Sequence, residues 1–129
     1  MSQLNALVVD DNKNNRDVLV RLLEREQVQC VQCQNASQIS QALDSGAHFD
    51  VVFLDLEMPN LDGYTVLRAI RADPRFENAP VIAYTVHLSE ISTVRDYGFD
   101  GFLGKPLDPD RFPDQFARIM NGESVWITN

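Results

Sequence analysis

The sequence lacks the features that mark disulfide-rich, membrane-spanning and secreted proteins. Only two of its 129 residues are cysteines, which excludes a disulfide-stapled scaffold. Apolar runs are short, such as Val51 to Leu54, whereas a membrane helix needs about 20 mostly apolar residues. The N-terminus lacks the basic and then apolar stretch of a secretory signal. We therefore expect a cytoplasmic protein without a membrane segment.

Positive charge is scarce as well. Nineteen Asp and Glu residues outnumber eleven Lys and Arg residues, which gives a net charge of -8. Such a chain repels a phosphate backbone, and no local cluster of basic residues offsets the repulsion. Direct binding to nucleic acid is therefore not expected.

The two cysteines, Cys30 and Cys33, form a C-x-x-C pattern that in another setting would suggest redox chemistry. Here they lie in the run Val28 to Cys33, which we interpret as a strand. Residues three apart on a strand point to opposite faces and are about 10 Å apart, too far for a disulfide. We therefore favour structural thiols over a redox pair.

Short apolar runs alternate with longer amphipathic segments, and no repeat, low-complexity tract or linker interrupts the pattern. Strand-like runs cover 6–9, 28–33, 51–54, 81–84 and 101–103, and a segment with helical spacing of its apolar residues follows each of them. Because parallel strands need crossover connections, this alternation predicts an α/β domain with a parallel sheet covered on both faces. The run 51–54 is apolar throughout, which is typical of a central strand.

The start of the last helix is set by two prolines. Asp108-Pro109 resembles an N-cap followed by proline at the first helical position. Pro113, four residues later, removes another backbone donor. We therefore expect a kink or a late start in this helix.

Acidic residues follow the strands at the edge where open parallel sheets bind ligands. Asp10 and Asp11 end the first strand, Asp55 ends the third, Thr85 ends the fourth and Lys105 follows the fifth. Two carboxylates about 4 Å apart repel by roughly 4 kcal/mol at an effective dielectric near 20. Three acids with one lysine therefore call for a divalent cation, and oxygen ligands without neighbouring His or Cys favour Mg²⁺.

Of these acids, Asp55 is the best candidate for a nucleophile. A carboxylate beside Mg²⁺ can attack phosphorus when the metal and a cation absorb the charge of the phosphoryl oxygens. Asp55 follows an apolar strand that would hold it firmly, whereas the consecutive Asp10 and Asp11 are better placed as metal ligands. We expect Lys105 to neutralise one phosphoryl oxygen and the Thr85 hydroxyl to donate a hydrogen bond to another.

Four motifs occur in order along the chain. They are the acidic pair in Leu7–Asn12, the stretch Asp55–Gly63, Thr85 after an apolar strand, and Lys105-Pro106. In these motifs the sequence resembles the receiver domains of two-component response regulators, over residues 4–120. The resemblance implies a flavodoxin-like, doubly wound (βα)5 fold with strand order 2-1-3-4-5, as a single domain over residues 1–129 with a short tail from residue 121.

The resemblance implies a role for each acid. Asp55 would accept a phosphoryl group from the phosphohistidine of a histidine kinase. Asp11 and Asp55 would bind Mg²⁺ directly, and Asp10 would hold a metal-bound water. The backbone carbonyl of Glu57 would complete the protein ligands, which leaves the Glu57 side chain available to influence hydrolysis.

The resemblance also implies a conformational switch. Phosphorylation would draw the Thr85 hydroxyl inward, and the ring of Phe102 would turn toward the vacated space. The surface that changes would be the fourth helix, the fifth strand and the fifth helix. Because Phe102 has no phenol hydroxyl, this switch would work by packing alone. The Lys105-Pro106 bond would be cis, as is usual in the family.

Three further residues stand out near the site or in the tail. Val86 lies where the family often has a smaller residue such as Ala, and we hypothesise that it slows attack by water or small phosphodonors. His87 lies near the mouth of the site and is a weaker candidate for gating it. Trp126 is interpreted as either docked on the domain or disordered.

Three other functions remain as alternatives. An aspartate-nucleophile phosphohydrolase would need a general acid near Asp55, for which Glu57 is the only candidate, and a cap over the substrate, for which there is no insertion. A flavin carrier would need hydroxyl and amide donors where the loop 10–15 is acidic. A pseudo-receiver would bind partners without phosphorylation, although all groups of the acceptor site are present.

Few residues follow the last predicted helix, so we expect the chain as given to act through partners. The upstream partner would be a histidine kinase or a phosphotransfer protein. The downstream protein is not identified by the sequence, and a phosphorylation-dependent homodimer is left open. We classify the protein as a signalling switch rather than an enzyme.

Overall fold

Strands and helices alternate along the chain in the computed structural model, which describes residues 3–58, 62–76, 78–85 and 91–127. The strands are β1 (Leu4–Val9), β2 (Val28–Cys33), β3 (Val51–Asp55), β4 (Val81–Thr85), β5 (Gly101–Gly104) and β6 (Val125–Ile127). The helices are α1 (Lys13–Arg25), α2 (Ala36–Asp44), α3 (Gly63–Arg71), α4 (Ile91–Asp96) and α5 (Phe112–Met120), with a 3-10 helix at Pro74–Phe76. Within these ranges, no helix combines the length and the apolar character needed to cross a membrane.

The six strands form one parallel sheet in the order β2-β1-β3-β4-β5-β6. The predicted α/β, flavodoxin-like class is confirmed, and so is the order 2-1-3-4-5 for the first five strands. The prediction of only five strands is wrong, because residues of the expected tail form β6. This strand pairs with β5 and becomes the new edge of the sheet.

Helices cover both faces of the sheet, as the alternation of strands and helices predicted. On one face, α2, α3 and α4 pack on a layer that includes Val9 and Leu54. On the other face, α1 and α5 pack on a layer that includes Val8 and Phe53. All five residues of β3 are buried, which confirms that this apolar run is a central strand.

Polar side chains cap the first turns of α1 and α3. The Asn12 side chain accepts a hydrogen bond from the Asn15 amide at 3.0 Å and starts α1. The Asp62 side chain accepts one from the Tyr64 amide at 3.0 Å and starts α3. Such caps satisfy amides that have no partner within the helix.

The fifth helix starts late, as its prolines predicted. It begins at Phe112, with Pro113 in its first turn, where a missing amide donor costs no helical hydrogen bond. The preceding residues form a turn in which the Phe112 amide donates to the Asp108 carbonyl at 2.9 Å.

The strand β6 is held by side chains on both faces of the sheet. Val125 and Ile127 pack on the α1 and α5 side, and Trp126 packs on the opposite side. The guanidinium of Arg95 in α4 lies 4.6 Å from the centre of the Trp126 ring, which is a cation–π distance. Trp126 is therefore docked, one of the two expected outcomes.

The two cysteines lie on opposite faces of the sheet, as predicted from their spacing on a strand. Cys33 is buried in the layer beneath α2, whereas Cys30 packs against the α1 layer, and both thiols are free. Burial raises the pKa of each thiol to about 11. Since the thiolate is the reactive form, these cysteines are structural rather than a redox pair.

Candidate functional site

The carboxyl ends of β1 and β3 place two acids side by side. Val9 of β1 lies opposite Leu54 of β3 in the parallel register, so Asp10 and Asp55 leave the sheet next to each other. Asp10 is fully buried, and Asp55 is only 3% exposed. Asp11 follows on the solvent side. One carboxylate oxygen from each of the three acids lies within 4.8 Å of the others.

Asp10 is fixed from several directions. Its Oδ1 accepts a hydrogen bond from the Asn12 amide at 2.8 Å. Its Oδ2 accepts one from the Tyr84 hydroxyl at 2.7 Å and one from Lys105 Nζ at 3.2 Å. The Arg16 guanidinium donates to its backbone carbonyl at 2.8 Å. Both carboxylate oxygens of Asp10 therefore have donors in the folded protein, as a buried charge requires.

Lys105 lies between the two buried carboxylates. Thr85 pairs with Gly104 across β4 and β5, and the next amide, that of Lys105, donates to the Thr85 carbonyl at 2.9 Å. The ammonium reaches 3.2 Å from Asp10 and 3.5 Å from Asp55, and the lysine side chain is only 9% exposed. The Lys105-Pro106 peptide bond is cis, as the resemblance implied.

The electrostatics of Asp55 reflect this crowding. Burial raises the pKa of Asp55 to about 6, and the negative charge of Asp10 acts in the same direction. The Glu57 amide, which donates to Asp55 Oδ1 at 3.0 Å, and the Lys105 charge both oppose this rise. The donors and cations of the protein alone therefore do not fully compensate the negative charge of ionised Asp55.

The donor set fits a hard divalent cation. The three clustered acids offer carboxylate oxygens only, and one ammonium neutralises part of their charge. Two of the acids are buried and one is exposed, so an ion here would have protein on one side and water on the other. Mg²⁺ prefers a few carboxylates and several retained waters. The residues present therefore suit Mg²⁺.

Thr85 is completely buried at the end of β4, and its hydroxyl donates a hydrogen bond to the Glu57 carboxylate. The sequence leaves the Glu57 side chain available to influence hydrolysis and does not indicate its contact with Thr85. The contact depends on the path of the loop after β3, for which the sequence carries no signal. It places the Thr85 hydroxyl on the side chain of Glu57, whose backbone amide donates to Asp55.

Tyr84 also belongs to the site, although its place in the sequence indicates only a strand residue. It is 1% exposed, and its hydroxyl donates to Asp10 as described above. Burial and the charge of Asp10 raise the pKa of the Tyr84 phenol far above its ordinary value, so the hydroxyl stays protonated and acts as a donor. A tyrosine in the buried, mostly apolar strand β4 is the available signal, because a buried phenol needs a hydrogen-bond partner.

The predicted switch residue Phe102 is fully buried in β5, within the layer beneath α3 and α4. Its neighbour across the strands is Ala83 of β4, two residues before Thr85. The predictions on Val86 and His87, and residues 59–61 of the second motif, Asp55–Gly63, lie outside the described residues.

The sequence also matches a known protein family. The response regulator receiver domain family matches residues 6–117. The chain is 36% identical over 124 residues to the CAI-1 autoinducer sensor kinase/phosphatase CqsS of Vibrio cholerae, which covers 94% of this chain and 17% of that protein. It is 35% identical over 112 residues to stress response regulator protein 1 of Meyerozyma guilliermondii, which covers 84% of this chain and 51% of that protein. The chain thus spans about half or less of the length of these relatives.

Solved structures have the same fold. The signal receiver domain of a DNA binding response regulator from Colwellia psychrerythraea is 26% identical, with a TM-score of 0.79 over 92% of this chain and 98% of that one. The chemotaxis response regulator CheY4 of Vibrio cholerae has a TM-score of 0.79 over 92% of this chain and 99% of that one. At 22% identity this second likeness supports the fold alone.

Proposed function

The chain belongs to the response regulator receiver domain family, and on that premise we propose that Asp55 accepts a phosphoryl group from a phosphohistidine. The donor would be a histidine kinase or a phosphotransfer protein of a two-component system. The observation that carries the proposal is the position of Asp55, which is buried, lies 3.5 Å from Lys105 and shares a cluster with two further acids.

In the proposed reaction, a carboxylate oxygen of Asp55 attacks the phosphorus of phosphohistidine. An O–P bond forms, the N–P bond breaks, and its electron pair stays on the imidazole nitrogen of the donor. Asp55 must be ionised to attack, and with a pKa of about 6 it is mostly ionised at neutral pH. Its backbone hydrogen bond from Glu57 holds the carboxylate in one orientation.

Lys105 would neutralise charge on the transferred group. Its ammonium already lies against Asp10 and Asp55, so a phosphoryl group on Asp55 would come within its reach. Charge-assisted hydrogen bonds of this kind are roughly twice as strong as neutral ones. The proposed role needs no large movement of the lysine.

For the metal, we assign direct contacts to Asp11 and Asp55, a water-mediated contact to Asp10, and a further contact to the backbone carbonyl of Glu57. When bound, Mg²⁺ would withdraw charge from the phosphoryl oxygens and so lower the barrier to attack. The support from the chain is the all-oxygen cluster of three acids described above. Asp11, as the exposed member, lies on the side from which an ion would enter.

The proposed switch starts from the Thr85 hydroxyl. This hydroxyl donates to Glu57, and a phosphoryl group on Asp55, with up to two negative charges spread over its oxygens, would offer a competing acceptor. Transfer of this hydrogen bond would free space beside Phe102 and alter the surface formed by α4, β5 and α5. Because β6 pairs with β5, the altered surface would include β6 as well.

Incubation with acetyl phosphate and Mg²⁺ followed by intact mass measurement tests the proposal. We expect the wild type to gain one phosphoryl group and the Asp55→Asn variant to gain none. Asp110→Asn, which removes an exposed acid outside the cluster, serves as the matched control and should be phosphorylated like the wild type. A wild type without an adduct, as the pseudo-receiver alternative expects, would overturn the proposal, and so would an adduct that persists in Asp55→Asn.

The phosphohydrolase alternative is less well supported by the site. It needs a general acid beside Asp55, and within the described residues the Glu57 carboxylate is engaged as an acceptor of the Thr85 hydroxyl. A group that accepts this hydrogen bond is ionised or presents its carbonyl oxygen, and neither serves as a proton donor at that atom. We therefore propose a signalling role, in which phosphorylation changes what the surface binds.

A further inference from the structure

The Tyr84 side chain lies in two environments, with its ring in an apolar layer and its hydroxyl at the acidic site. Its neighbours in β4 alternate between the two layers, and its ring belongs to the layer beneath α1 and α5, together with Val8 and Phe53. Its hydroxyl emerges from this layer and donates to Asp10 Oδ2 at 2.7 Å. A phenylalanine would fill the same apolar space, so packing alone does not require the hydroxyl.

The same tyrosine also contacts the lysine of the site. Lys105 Nζ lies 4.4 Å from the centre of the Tyr84 ring, a cation–π distance. Lys105 Nζ and the Tyr84 hydroxyl donate to the same oxygen, Asp10 Oδ2. The tyrosine, the lysine and the aspartate therefore form a closed triangle in which each member contacts the other two.

We propose that Tyr84 is a positioning residue of the phosphorylation site, whose hydroxyl fixes the Asp10 carboxylate and whose ring supports the Lys105 ammonium. With Oδ2 held by Tyr84 and Lys105 and Oδ1 held by the Asn12 amide, Asp10 has one orientation. That orientation determines where Asp10 meets a metal-bound water. The inference rests on the proposed function, because it assumes that the acidic cluster binds Mg²⁺.

The expected effect is on metal affinity, because partners that orient metal-binding groups commonly contribute 10–100-fold to it. In Tyr84→Phe the ring and its contact with Lys105 remain, while Asp10 loses one donor. We expect Tyr84→Phe to bind Mg²⁺ about tenfold more weakly than the wild type. A hydroxyl that only satisfied its own burial would change the folding stability and leave the affinity for Mg²⁺ untouched.

The experiment is a titration of the full chain with MgCl2, followed by the NMR shifts of the Asp11 and Asn12 amides. Tyr97→Phe is the matched control, because it removes the hydroxyl of a tyrosine that is 53% exposed and outside the site. The affinity of Tyr97→Phe should equal that of the wild type. A wild type that shows no saturable response would refute the magnesium site of the proposed function, whereas the Tyr84 inference fails on its own if the wild type saturates and Tyr84→Phe is weakened by less than about threefold.

A second measurement uses the wild type alone and does not depend on how the variant folds. The ring resonances of Tyr84 should shift during the MgCl2 titration with the same midpoint as the Asp11 amide, because the phenol contacts the residue that meets the ion's water. Tyr97 ring resonances should not shift. Tyr84 resonances that stay constant while the Asp11 amide shifts would overturn the inference.

Discussion

Phe102 and Trp126 are direct neighbours across the parallel strands β5 and β6, on the same face of the sheet. Phe102 is fully buried, whereas Trp126 is partly exposed and lies under the Arg95 guanidinium of α4. The C-terminal strand therefore connects the proposed switch residue to the helix that borders it. Any movement of Phe102 changes what Trp126 packs against.

Trp126 should therefore report phosphorylation. It is the one tryptophan of the chain, so its fluorescence can be assigned without ambiguity. Addition of acetyl phosphate and Mg²⁺ should change the intensity or the emission maximum of wild-type protein, because a movement of Phe102 would change the packing of the Trp126 ring and its distance from the Arg95 guanidinium. Asp55→Asn should show no change under the same conditions. Unaltered fluorescence in protein that intact mass shows to be phosphorylated would contradict the proposed coupling.

Gly101 is needed for β6 to lie against β5. A Cβ atom at this position would lie 2.7 Å from the Val125 carbonyl oxygen, which is backbone and cannot rotate away. Gly101→Ala should displace β6 and expose Val125, which is 1% exposed in the wild type. We expect the free energy of unfolding to fall by about 2 kcal/mol, the order of the burial lost.

Hydrogen exchange measures this displacement. In Gly101→Ala, the amides of Val125–Ile127 should lose protection, while those of β3 should keep theirs. Phosphorylation from acetyl phosphate should persist, because Asp55 and Lys105 lie at the opposite ends of their strands from Gly101. Retained protection in β6 would show that the sheet edge accommodates the methyl group.

The sequence predicts most of the fold and the acidic site because both follow from local patterns. The fully apolar run of β3 indicates a central strand, and parallel strands bring their carboxyl ends, with Asp10 and Asp55, to one edge. The strand β6 escaped prediction because three residues carry too little pattern, and its pairing with β5 is a tertiary effect. The Tyr84–Asp10 hydrogen bond joins residues 74 positions apart, which no spacing rule indicates.

Asp55 should destabilise the protein at neutral pH when Mg²⁺ is absent. Its pKa is raised by burial from 3.8 to about 6, so between these values the folded state holds more protons than the unfolded state. The free energy of unfolding therefore falls as pH rises through this window, and the loss persists above pH of about 6. Asp55→Asn removes this effect. We expect its free energy of unfolding to exceed that of the wild type by about 1–2 kcal/mol at a pH of about 7.5, a value reduced to allow for solvent screening.

Urea denaturation of both proteins across this pH range measures the difference. The advantage of Asp55→Asn should shrink as the pH falls from about 6 to about 3, below the unfolded-state pKa of 3.8, where the wild-type carboxyl is mostly protonated in both states. Addition of Mg²⁺ should stabilise the wild type and narrow the gap. Asp110→Asn corrects for the loss of one negative charge from a chain of net charge -8 and should show no such pH dependence. A constant difference between wild type and Asp55→Asn at all pH values would contradict the raised pKa.

Lys105 compensates two buried carboxylates, and its removal should make folding dependent on Mg²⁺. In Lys105→Met the apolar stem is largely kept, but Asp10 and Asp55 lose the ammonium that lies 3.2 and 3.5 Å away. Breaking a buried ion pair by removing one partner typically costs about 3–5 kcal/mol, because the remaining charges stay buried. We expect a loss of that order without metal. Because a divalent cation can replace the missing charge, millimolar Mg²⁺ should stabilise Lys105→Met more than it stabilises the wild type.

Lys13→Met is the matched control, since Lys13 pairs with Asp17 on the surface, where its side chain is 77% exposed, and its loss should leave stability nearly unchanged. Thermal unfolding of the three proteins with and without MgCl2 measures how much Mg²⁺ stabilises each of them. Equal stabilisation of the wild type and Lys105→Met by Mg²⁺ would contradict this prediction, because it would mean that Lys105 and the ion do not compensate the same carboxylates.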